Sequence, residues 1–74
     1  MALFLTRAVA QDLRSDIWQE ACKKAAGGLQ READAGFNLA EELDAAIALE
    51  IEGAGVELTS EELVEAAQEW GLLG

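Results

Sequence analysis

Histidine, tyrosine and proline are absent from this 74-residue chain, cysteine occurs once, and no lysine or arginine follows Arg31. Each gap excludes something. Without histidine, the usual zinc sites and the carboxylate–histidine di-iron sites cannot be built, and a serine or threonine nucleophile lacks its ordinary base. The hydroxyls are Thr6, Ser15, Thr59 and Ser60, and two of them stand where a helix needs a cap. The carboxylates form no D-x-[DN]-x-[DN]-G calcium loop, and Gly27-Gly28 lacks the spacing of a phosphate-cradling loop. The expectation is a protein that is not an enzyme and holds neither a metal nor a cofactor.

Cys22 has no partner for an internal disulfide, so a reducing compartment is expected. The run Met1-Ala-Leu-Phe-Leu5 is too short for a signal peptide, and Arg7 interrupts it. No apolar stretch is long enough for a membrane span. A cytoplasmic location follows as the expectation, with no membrane partner.

What is present is mostly alanine, leucine and glutamate. Hydrophobic residues make up 51% of the chain, too many for a disordered acidic tail. One small domain, 1–74, is expected, close to the lower size at which a core suffices alone. Phe4, Trp18, Phe37 and Trp70, together with a set of Leu, Ile and Val, are the expected anchors of that core, with Cys22 buried beside Trp18.

With no proline, glycines supply the punctuation. Leu5, Val9, Leu13 and Ile17 recur every fourth residue, which predicts a helix over 3–26 that stops at Gly27-Gly28. Leu39, Leu43, Ile47 and Ile51 form a second ladder, which predicts a helix over 29–52, continuous or kinked at Gly36. A break there is the competing reading, with Asn38 as a new N-cap and Glu41 completing its capping box. In the third segment Thr59 and Glu62 read as a capping box, and Leu58 can staple onto Leu63. A helix over 60–70 follows, burying Leu63, Val64, Ala67 and Trp70 and stopping at Gly71. No convincing strand alternation is found. The fold class is all-α: an antiparallel helical hairpin plus a shorter third helix, a small three-helix bundle.

The charge is distributed unevenly along these helices. Arg7, Arg14, Lys23, Lys24 and Arg31 nearly balance the acids around them, whereas residues 32–74 carry twelve carboxylates and no base. Lys23 and Lys24 suit the negative end of the first helix and can pair with Glu20. Glu50, Glu52 and Glu69 lie at helix ends where a base is preferred, and Glu61, Glu65 and Glu69 repeat at i, i+4, each pair costing about 0.2–0.5 kcal/mol. Such uncompensated charge works against a small fold.

Three readings compete for it. A solvated, solubilising surface is the plainest. A docking surface for a basic protein is the second. Carboxylates separated by about 6 Å along a helix approach the phosphate spacing of a nucleic-acid strand, so an acidic helix face can imitate a nucleic-acid backbone. Direct nucleic-acid binding is excluded by the sign of the charge. The third reading is a resemblance. Gly55-Val-Glu-Leu-Thr-Ser-Glu-Glu-Leu63 with Val64-Glu-Ala-Ala67 resembles the end of the nitrogen-fixation-associated type of leader domain, which heads precursors of ribosomally made, modified peptides. That resemblance implies recognition by a modifying enzyme. The chain departs from the pattern at Trp70-Gly-Leu-Leu-Gly74, which has no double-glycine cleavage site.

The reading favoured is a non-enzymatic acidic binding protein that docks on a basic surface of a larger, nucleic-acid-binding protein. Its most concrete form is a phage-type nucleic-acid-mimicking inhibitor of the anti-CRISPR or anti-restriction class. Glu57, Glu61, Glu62, Glu65 and Glu69 are the expected first contacts, supported by Glu41, Glu42 and Asp44. The rival is an assembly module that homodimerises through its apolar stripes.

Overall fold

A computed structural model describes residues 4–50 and 53–71. The described elements run in the order β1 (Phe4–Leu5), α1 (Arg7–Ala26), α2 (Gln30–Ala48), β2 (Val56–Glu57) and α3 (Glu61–Glu69). The expected bundle is present: two long helices packed side by side, with a short third helix.

α1 and α2 have nearly equal lengths, 20 and 19 residues, and form an antiparallel hairpin. The turn between them is a Schellman motif. Gly28 adopts φ +84° and donates its N–H to Ala25 O, while the Leu29 N–H reaches Lys24 O at 2.9 Å. α2 is continuous, and Asn38 lies within it rather than capping a new helix. Gly36 serves packing instead. A Cβ at that position would stand 2.8 Å from Ala21 Cβ, so the glycine lets the two backbones approach.

Three helix boundaries differ from expectation. α1 starts at Arg7 because Thr6 caps it, its hydroxyl accepting from Val9 N at 3.3 Å. Phe4 and Leu5 precede the cap as a strand antiparallel to β2, with Leu5 opposite Val56 and both side chains buried. Alternation over two residues is too short to see in sequence, so this ribbon was not expected. α3 is capped by Ser60, whose hydroxyl accepts from Leu63 N at 3.3 Å. Thr59 is thus outside the helix, position N3 is Leu63, and no capping box with Glu62 forms. The shift lets Val56, Leu58, Leu63 and Ala67 all enter the core. α2 ends at Ala48, and the expected extension through Ile51 and Glu52 falls outside the described residues.

The core is aliphatic. Leu13, Leu43, Leu63 and Val56 are its largest fully buried side chains, each contributing about 1.5–3 kcal/mol by leaving water. Ala10, Ala40, Ala46 and Ala67 pack among them. The aromatic residues are not the anchors expected. Phe4, Trp18 and Trp70 are exposed, and Phe37 is half-buried against Trp18. Cys22 is exposed as well. The buried line of α1 is Ala10, Leu13, Ile17 and Ala21, and Trp18 and Cys22 each sit one residue, or about 100°, further round. Gly71, at φ +78°, ends α3 as expected by donating to Gln68 O at 2.9 Å.

Candidate functional site: an acidic cleft between two helices

Where α1 meets α2, charges are matched. Arg7 Nε donates to Glu50 Oε1 at 2.8 Å, and Arg14 Nε donates to Asp44 Oδ2 at 3.0 Å. Arg14 also lies over the Trp18 ring, 5.0 Å from its centroid, and Trp18 meets Phe37 at 4.6 Å with the ring planes tilted by 59°. Two of the expected uncompensated acids therefore have partners. Glu50 stands at the negative end of α2, but the hairpin brings the start of α1 and Arg7 to meet it. Its side chain is only 9% exposed. Asp44, an expected supporting contact, is engaged by Arg14. Glu52 lies outside the described residues.

Between α2 and α3 the situation reverses. Glu32 and Glu42 from α2 and Glu62, Glu65 and Glu69 from α3 line one cleft of about 630 Å³, with Lys24 as its single base. None of these five carboxylates belongs to an ion pair among the described residues. Between the acids the lining includes the small residues Ala35 and Gly36 on α2 and Ala66 on α3. α3 is held to the hairpin chiefly through Leu63 and Ala67, which point into the core and away from this cleft.

The expected contacts divide into groups. Glu42, Glu62, Glu65 and Glu69 come together in the cleft. Glu61 does not; it borders a shallow hollow on the far side of α3 with Val64 and Gln68, and Glu65 stands on the ridge between the two. Glu57, on β2, lies beside a third hollow with Phe4 and Leu49. Glu41 is exposed on α2 and does not line the cleft. Two cleft residues were missed, Glu32 and Lys24. Glu32 was legible in principle, since Glu32, Ala35, Gly36, Leu39 and Glu42 follow helical spacing along one face. Only a helix continuous through Gly36 brings them into line.

Chemically the cleft presents carboxylates suited to a positively charged group, interspersed with Ala35, Leu39 and Ala66. Among the described residues no cluster of His, Cys, Asp and Glu side chains has metal-ligating geometry. No helix among them is long and apolar enough to cross a membrane. No protein-family model, curated protein or solved structure matches this chain.

Proposed function

We propose that the protein is a non-enzymatic docking module whose acidic cleft engages the basic surface of a larger protein. One observation carries this reading: five carboxylates from two separate helices line the same cleft with Lys24 as its single base, and none of the five belongs to an ion pair among the described residues. A merely solubilising surface has no reason to gather its acids around a concavity, and each like-charge neighbour costs stability. The most concrete form remains an inhibitor that occupies a nucleic-acid-binding surface, of the kind phages direct at restriction or CRISPR enzymes. Electrostatic steering would speed association with such a target and make it sensitive to salt.

The test is capture by the tagged protein at low and high salt, compared with a Glu62→Gln, Glu65→Gln, Glu69→Gln variant. A specific partner should be lost with the variant, lost at high salt, and released by added duplex DNA or RNA. Capture that is indifferent to the three substitutions and to salt refutes the docking reading. Capture that nucleic acid does not displace refutes the mimicry form alone.

The assembly alternative changes character in the fold. Leu5, Leu13, Ile17 and Leu43 of the apolar stripes are buried in the chain's own core, and Val9, Leu39 and Ile47 are partly covered against it. A self-association reading rests instead on the exposed Trp18, packed against the half-buried Phe37, and light scattering over a range of concentrations tests it.

A further inference from the structure

Another hollow, about 420 Å³, runs between α1 and α3. It joins the acidic cleft through Lys24, Gly36, Leu39, Ala66 and Glu69, which line both. Its character is different. Leu39, Ala66 and Trp70 line it over the buried Leu13, Ile17 and Ala21, with Asp16, Glu20, Lys24 and Glu69 at its edges, so a more apolar slot opens directly into an acidic one. Trp70 caps α3 beside this slot with 39% of its surface exposed. A large aromatic left half-uncovered beside a small-residue gap is the usual anchor of a binding groove.

We propose that the joined clefts receive one basic amphipathic helix of a partner protein. Its apolar side chains enter beside Leu39, Ala66 and Trp70, and its lysines or arginines meet Glu62, Glu65 and Glu69. The inference rests on the docking reading above and specifies the partner's recognised element. Charge complementarity selects that element. The acids lining the two hollows are Asp16, Glu20, Glu32, Glu42, Glu62, Glu65 and Glu69, against Lys24 alone. A second copy of this chain, at formal charge −10, is repelled, and so is nucleic acid. An unstructured polycation satisfies the acids but leaves the slot empty. A helix with apolar residues at i, i+3, i+4 and i+7 and bases on its flanks satisfies both.

The experiment titrates the unaltered protein with a leucine–lysine amphipathic peptide of about four helical turns. A scrambled peptide of identical composition and an oligolysine of equal charge serve as controls. Binding is read by amide chemical shifts and by indole fluorescence, with a Trp18→Phe variant isolating Trp70. The amphipathic peptide should bind at least about tenfold more tightly than either control, a difference of 1.4 kcal/mol. It should shift the Leu39, Ala66 and Glu69 amides and move Trp70 emission to the blue. Ala66→Leu, which fills the slot while keeping helix propensity, should remove that preference and leave oligolysine binding intact. Equal binding of all three peptides overturns the helix inference and leaves the docking reading standing. No binding by any of them, even at low salt, overturns both. Tight binding that spares Leu39, Ala66 and Trp70 overturns the proposed location.

Discussion

The α1–α2 seam and the α2–α3 cleft share a helix but solve opposite problems. Along the seam Arg7 meets Glu50 and Arg14 meets Asp44, so charges that are unfavourable or neutral in isolation become partners. Arg7 opens α1 at its positive end, and Glu50 follows α2 at its negative end. Each opposes its own helix dipole, and the antiparallel hairpin sets one beside the other. Along the cleft nothing comparable happens. Glu42 faces a wall of further glutamates, and the last turns of both α2 and α3 contain no base. The difference teaches that net charge is a poor guide to function. Where the fold itself neutralises an acid, stability explains it; where the fold gathers acids without neutralising them, stability does not.

Substitutions can break that comparison, starting with the most severe. Leu63→Ala removes the main anchor of α3, a fully buried side chain, and should cost about 2–5 kcal/mol. Denaturant unfolding followed by circular dichroism reads the loss. Amide exchange should show α3 opening before the hairpin, and equal loss of protection in all three helices would argue against two separable regions.

Gly36→Ala tests the close approach at the seam. Overpacking costs about 1–3 kcal/mol and the gain in helix propensity returns about 1, so the net should be destabilisation by up to about 2 kcal/mol. A Tm above that of the unaltered protein would show that Ala21 yields easily.

Arg7→Gln leaves Glu50 largely covered, without its cation, beside the negative end of α2. The expected loss is about 1 kcal/mol, shrinking at about 1 M salt, where the Debye length falls to about 3 Å. The smallest effect should carry the opposite sign. Glu65→Gln with Glu69→Gln relieves two like-charge pairs, Glu61–Glu65 and Glu65–Glu69, and one adverse dipole contact on exposed side chains, raising stability by about 0.7 kcal/mol at low salt. That gain should vanish at about 1 M salt. If both variants move stability in the same direction, the contrast between a neutralised seam and a strained cleft is wrong.

Much of the architecture was legible along the chain. The four-residue ladders gave two long helices, Gly27-Gly28 gave the turn, and Gly71 gave the last stop, because each signal is local and repeated. The ribbon of Phe4–Leu5 with Val56–Glu57 was not legible, since two-residue strands carry no period and their hydrogen bonds join residues far apart in sequence. The exposure of Trp18 and Cys22 was misread because one residue of rotation separates a buried helix face from an open one. Of the site, the stripe Glu62, Glu65 and Glu69 could be read from α3 alone; its pairing with Glu32 and Glu42 could not.

By itself the sequence determined the helices, the aliphatic core and the confinement of basic residues to the first 31 positions, for these depend on local periodicity and composition. Only the tertiary structure decided which acids remain without a partner. Arginine and glutamate separated by 43 residues can neutralise each other only when a hairpin brings them to 2.8 Å, and small residues become a cleft only when two helices frame them.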